Sequence, residues 1–311
     1  MTIARTLVVV AALVLTGCAA SPPAPEPVPT PAVTSTDGPD LAAPAQVFGG
    51  DCDALATAAE VSAAVGREVS VTVVDGINLG GKVFAQAGGL ECNWRGDDGT
   101  SVYVGVLPAA AADFTDETGC DVVIDVPLPI CTFAASAEQL RLVGTVGVGQ
   151  GDTAAQVAAG EVISDLFVQR AVSSPTPTPV AGAWPPLSNC AQFAGAFDWY
   201  DSGFLEAYYT PAYRALRGGG LGQCSAQVAG ESSVDVAVLG GARWVESEVA
   251  AQPGTEKTDV AGLEAVYVGP LLSSGYRYID VFDGVNWMQA FVVDPDAAMP
   301  AIVDLVTQLN G

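Results

Sequence analysis

The chain contains no histidine and only two lysines, Lys82 and Lys257. A Ser or Cys nucleophile needs a base beside it, so the missing histidine removes the usual route to nucleophilic catalysis. Neither lysine lies in an S-x-x-K pattern, which leaves Ser–Lys chemistry without its motif. No C-x-x-C spacing occurs either, so a zinc site lacks both of its common ligand patterns. Basic residues are scarce as a class: 11 Lys and Arg stand against 35 Asp and Glu, a formal net charge of −24. That field repels phosphate backbones, so nucleic acid is not an expected partner. It also disfavours anionic lipid headgroups. Yet charged residues make up only 15% of the chain and apolar residues 50%, the balance of a globular protein and not of an acidic disordered one.

What is present begins with an address. Arg5 supplies a short basic region, and residues 7–15 form an apolar run of nine. A bilayer core of ~30 Å needs about 20 residues, so the run suits a signal peptide better than a membrane span. It ends in Leu15, Thr16, Gly17 and Cys18. This quartet resembles the lipobox of bacterial lipoproteins. The resemblance implies residues 1–17 as a signal peptide, cleavage before Cys18, diacylation of its thiol, and residence on the extracytoplasmic face of the cell membrane. One acyl chain anchors marginally, whereas two hold stably. The alternative is an ordinary secretory leader with an incidental cysteine, or a single membrane anchor. Residues 18–47 are rich in Pro, Ala, Thr and Ser, the composition of an extended tether.

Six cysteines remain once Cys18 is set aside. An even number in an exported chain reads as disulfides, with 15 possible pairings. A Pro-rich linker at residues 173–187 separates two stretches, 48–172 and 188–311, each near the common domain size. Both open with a cysteine before an expected helix, Cys52 and Cys190. Both reach a glycine-rich turn and a second cysteine, Cys92 and Cys224, and then an alternating segment, residues 101–106 and 233–238. Both end in a helical pattern behind an Asp suited to capping, at 152–169 and 294–309. Val162, Leu166, Ile302 and Leu305 mark the apolar spacing. The correspondence argues for two tandem copies and pairs Cys52 with Cys92 and Cys190 with Cys224. Cys120 and Cys131 are left to close a short loop. Strands are expected at 223–229, 233–239, 264–269, 276–282 and 286–293, with hairpin turns at Asp283 and Gly284 and at Asp98 and Gly99. The fold class is α+β: two tandem domains, each an antiparallel sheet packed with N- and C-terminal helices and stapled by disulfides.

The lipobox, the Pro-rich tether, the early Cys52 and the later Cys92, Asn93 and Trp94 together resemble small actinobacterial lipoproteins of unknown function. The second copy departs from the pattern, with Ala226 in the Trp position. The resemblance implies an α+β fold of the PsbP/Mog class and no activity.

Other motifs read as architecture. Gly147, Gly149 and Gly151 imitate a dinucleotide loop, but Asp152 stands where its third glycine belongs and would repel a pyrophosphate. Arg95, Gly96 and Asp97 sit in an expected hairpin. Asp113, Asp116, Glu117 and Asp121 cluster without the spacing of a calcium loop. Neither a metal nor another cofactor is implied. Glu206, Asp198 and Asp201 are candidates for a carboxylate-dependent hydrolase. The most distinctive stretch is 193–213, which holds eight of the 23 aromatic residues, while the stretch taken as its counterpart, helical 54–69, has none. Mixed aromatic and polar composition suits recognition. Trp199, Tyr200, Phe204, Tyr208, Tyr209 and Tyr213 are therefore the candidate binding surface. The expected protein is a non-catalytic envelope lipoprotein that meets the membrane through its lipid and binds an envelope protein or cell-wall ligand. The alternatives are the hydrolase or a structural accessory of an envelope complex.

Overall fold

The computed structural model describes residues 42–72, 77, 79–111, 117–121, 130–149, 153–170, 180–185, 197–200, 222–228 and 232–311. All lie within one compact unit, Asp40–Gly311. Its architecture is α+β, with helices around two antiparallel sheets.

The first half opens with α1 (Cys52–Leu55), where the Asp51 carboxylate accepts the backbone N–H of Asp53 at 3.0 Å. α2 (Ala58–Val65) follows behind a reciprocal capping box between Thr57 and Glu60, which satisfies two otherwise orphaned donors. Six strands come next: β1 (Ser70–Val71), β2 (Leu90–Arg95), β3 (Ser101–Pro108), β4 (Glu117–Asp121), β5 (Ile130–Ala137) and β6 (Leu140–Gly147). They form a sheet in the order β1-β2-β3-β6-β5-β4. α3 (Leu79–Gln86) intervenes before β2, and α4 (Thr153–Arg170) closes the half.

The second half carries β7 (Phe197–Tyr200), β8 (Gly222–Val228), β9 (Ser232–Leu239), α5 (Glu246–Ala250), β10 (Glu256–Thr258), β11 (Ala265–Val268), β12 (Arg277–Asp283), β13 (Asn286–Val292) and α6 (Pro295–Asn310). Its sheet runs β7-β8-β9-β13-β12-β11-β10. Strand for strand this repeats the first sheet, with β10 added at one edge. The register repeats as well: Cys92 opposes Val104, and Cys224 opposes Val236. Core volumes compensate between the halves. Phe133 opposes Gly144, where a Cβ would lie 2.3 Å from the Phe133 ring. The matching pair in the second sheet is Ile279 and Ala290, a smaller residue beside a larger one.

Each sheet has one face closed by its own helices. In the first, Cys92, Trp94, Val104 and Phe133 pack with Val61 of α2 and with Ile163 and Phe167 of α4. In the second, Val236, Ile279, Met288 and Ala290 pack with Ile302 and Leu305 of α6. The opposite faces share α3. Its Phe84 seats on the first sheet over Gly105, where a Cβ would fall 2.2 Å from the ring, among Leu107, Ala134 and Val143. Its Val83 enters the second cluster, with Leu239, Tyr267, Phe282 and Trp287. At the rim Lys82 pairs with Glu248, and Trp244 donates its indole N–H to Gln86 at 2.7 Å. Residues 180–185 are likewise fastened to the second half. Trp184 is buried, donates its backbone N–H to Asn286 and its indole N–H to Asn310, both at 2.8 Å.

Several expectations meet the structure directly. The Cys52–Cys92 disulfide is present, joining α1 to β2, the second strand of its sheet. Cys131 and Cys224 are each disulfide-bonded, and Cys120 stands opposite Cys131 in the β4–β5 ladder. Cys190 and the side chain of Cys120 lie outside the described residues, as do Cys18, Asp113, Asp116 and Gln150 to Asp152. The five strands expected in the second half all occur within two residues of their expected ends. Val162 is a correction. It is 48% exposed, and the buried stripe of α4 runs instead through Gln156, Ala159, Ile163 and Phe167, the spacing of a 3.6-residue period. At the start of the imitation dinucleotide loop, the Gln156 side chain accepts the Val148 N–H at 2.6 Å and returns a bond to its carbonyl at 3.1 Å.

Candidate binding face of the second sheet

Alternation along a strand sends neighbouring side chains to opposite faces, so the ladder register sorts the aromatic residues. β7 pairs with β8, setting Trp199 opposite Ala226 and Tyr200 opposite Ser225. Ala226 opposes Val234 of the closed core, whereas Ser225 opposes Asp235. In register Trp199 falls on the Ala226–Val234 row and Tyr200 on the Ser225–Asp235 row, and the side chains of Trp199 and Tyr200 lie outside the described residues. The alignment of this aromatic stretch with helical residues 54–69 is corrected: residues 197–200 are an edge strand, the counterpart of β1. Phe204, Tyr208, Tyr209 and Tyr213 lie outside the described residues, as do Asp201 and Glu206.

The row that contains Tyr200 continues into a cluster that the aromatic count did not find. Asp235 opposes Phe291, and Phe291 opposes Tyr278. The Phe291 ring stacks on Tyr276 at 4.4 Å with 6° between planes, and Tyr278 tilts against it at 5.2 Å. Tyr278 is 36% exposed, Val293 44% and Leu271 62%. These are three of the five exposed large hydrophobic residues among those described, so exposure is concentrated at this end of the sheet. The loop behind it is tied by the Leu272 N–H to the Tyr276 carbonyl at 2.8 Å. Arg277 donates to the Gly269 carbonyl at 3.1 Å. A signal for this cluster was available: Tyr276 and Tyr278 share strand parity, and the hairpin at Asp283 and Gly284 sets Tyr278 opposite Phe291.

One row inward the face closes. Asp280 is only 5% exposed and accepts hydrogen bonds from the Trp287 indole and the Gln289 amide, both at 2.9 Å. Burial pushes its carboxyl pKa up to about 6 despite those two donors. Next to it, Tyr267 donates its hydroxyl to Glu246 at 3.0 Å. Burial, helped by that carboxylate, raises the Tyr267 pKa to about 12. Arg243 joins Glu246 at 3.1 Å and also meets Glu264, which accepts the Gly284 N–H at 2.9 Å. These contacts fasten α5 over the hairpin. On the equivalent face of the first sheet, burial and the Glu91 carboxylate raise the Tyr103 pKa well above its ordinary value.

Among the described residues no group of three His, Cys, Asp or Glu side chains is placed to hold a metal ion. Asp198 lies in β7, and Glu117 and Asp121 lie at the two ends of β4. No helix among the described residues is long and apolar enough to cross a membrane. Comparison with protein-family models, curated proteins and solved structures finds no match.

Proposed function

We propose that this chain is a lipoprotein anchored through Cys18 on the extracytoplasmic face of the cell membrane, and that its folded part is a non-catalytic binding module of the envelope. The observation that carries the binding role is the open end of the second sheet, where Tyr278, Leu271 and Val293 are exposed and Tyr276 and Phe291 are half-buried, while the other face and the inner rows are packed. The anchoring role rests on the leader: Arg5, the apolar residues 7–15, and Leu15 to Cys18 in lipobox order. The composition of residues 18–47 suits a tether that lifts this surface off the membrane. The raised pKa of Asp280 would suit a general acid, but its donors Trp287 and Gln289 and its burial account for it as a packing residue.

The two halves are, in this reading, tandem copies of one unit. The shared strand order and the matched positions of Cys92 and Cys224 support it. The bonded states of Cys131 and Cys224 support Cys120–Cys131 and Cys190–Cys224 as the remaining bridges. Growth of the source bacterium with an alkyne-bearing palmitate analogue tests the anchor. Label and membrane-fraction protein should both be lost in Cys18→Ala. Equal labelling in the variant would refute lipidation at this residue.

A further inference from the structure

We propose that Leu271, Tyr276, Tyr278, Phe291 and Val293 form a protein-docking patch whose partner presents an amphipathic segment carrying Lys or Arg. This deepens the binding role above and rests on it. Exposed apolar clusters rimmed by polar groups mark interaction sites. Tyr-rich centres with polar rims are the usual anatomy of such interfaces. The rings here are already ordered by the coplanar stack of Tyr276 on Phe291, so little side-chain freedom is lost on docking.

Charge identifies the partner. Asp294 and Asp296, both exposed, follow Val293 along the chain. Of the described basic residues, Arg277 adjoins the patch with its guanidinium bonded to the Gly269 carbonyl, and Lys257 lies a row inward over the Tyr267 ring. With a whole-chain charge of −24, the field over the patch attracts basic and rejects acidic partners.

The test uses the chain from Cys18 to Gly311 with Cys18→Ala and two synthetic amphipathic peptides, one of Leu and Lys and one of Leu and Glu. Each carries a benzophenone for photo-crosslinking. The Leu/Lys peptide should bind at least tenfold more tightly than the Leu/Glu peptide, weaken as salt rises, and crosslink within 271–278 and 291–293. Leu271→Ser with Tyr278→Ser and Val293→Ser should weaken it tenfold or more. Val162→Ser, an exposed residue of α4, should not. Equal affinity for the two peptides, crosslinks elsewhere, or unaltered binding by the triple variant would overturn the proposal. So would protection of Tyr278 by a neutral polysaccharide but not by peptide. The crosslinking map needs no variant, so it decides the case even if the triple variant fails to fold. Anchoring is judged separately: a labelled Cys18 with crosslinks elsewhere removes the docking patch alone.

Discussion

Replacing Asp280 with Asn should stabilise the protein at neutral pH and leave its stability nearly unchanged at pH 4. The carboxyl is buried, and its pKa rises from 3.8 to about 6. A raised folded-state value means that the native protein holds its proton more tightly than the unfolded chain. Stability from this group is therefore fully present below pH ~4, falls as pH climbs from ~4 to ~6, and stays low above that. The fall corresponds to about 3 kcal/mol at 1.36 kcal/mol per pH unit. Asn carries no charge to desolvate, and its carbonyl oxygen still accepts from Trp287 and Gln289. The value of about 6 is already net of the lowering by those two donors, so with the curves equal at low pH the expected gain at pH 7.5 is about 2–3 kcal/mol. Urea unfolding followed by Trp fluorescence between pH 4 and 8 measures it. The wild-type and Asp280→Asn curves should converge at low pH and separate through pH 5–6. Curves that run parallel, or a variant less stable at pH 7.5 than at pH 4.5 by as much as wild type, would show that the buried carboxylate is not paying the proposed desolvation cost.

Gly105→Ala places a methyl 2.2 Å from the Phe84 ring, so α3 must lift off the first sheet. Overpacking of this kind costs about 1–3 kcal/mol, and unfolding midpoints measure it. If the variant matched wild type, α3 would not be seated on Gly105. Replacing Cys52 and Cys92 together with Ser opens a bridge across a sequence separation of 40. The chain-entropy estimate for that loop is about 4 kcal/mol. A loss below 1 kcal/mol in chemical denaturation would mean that the unfolded chain is already constrained there.

Much of this fold is legible from local chemistry, and the failures share a cause. Strands β12 and β13 follow from β-branched and aromatic residues on either side of Asp283 and Gly284, and Gly284 takes the positive φ of 56° that such a turn requires. The position of Cys224 relative to Cys92 follows from matching two short patterns. The edge strand β7 was hidden because the matched cysteines invite a residue-by-residue alignment of what lies between them. The aromatic composition of residues 197–200 favours a strand, and that alignment gives no place to one. α3 was illegible for a different reason. Its sequence, LGGKVFAQ, contains two glycines, each costing up to about 1 kcal/mol in helix propensity. Contacts with two sheets hold it as a helix, and no local signal reports a tertiary contact. The docking patch falls between these cases, since its parity and register could be read but its exposure could not.

Exposure at that patch follows from the size of what covers the rest. α3 has eight residues and α5 five. At 1.5 Å per residue these are about 12 Å and about 8 Å long. The strands beneath are longer: β12 and β13 have seven residues each, about 23 Å at 3.3 Å per residue. Both helices sit toward the hairpin end, where Val83, Val245 and Val249 meet Phe282 and Trp287. Their reach ends near the row of Tyr267, Asp280 and Gln289. Among the described residues, no helix cluster extends beyond it to Tyr278, Phe291 or Val293. In the first sheet, Thr132 and Thr145 occupy the register positions that Tyr278 and Phe291 hold in the second. At these two positions the row is polar in the first half and aromatic in the second, while on the neighbouring strand the first half carries the packed Tyr103 where the second carries Asp235.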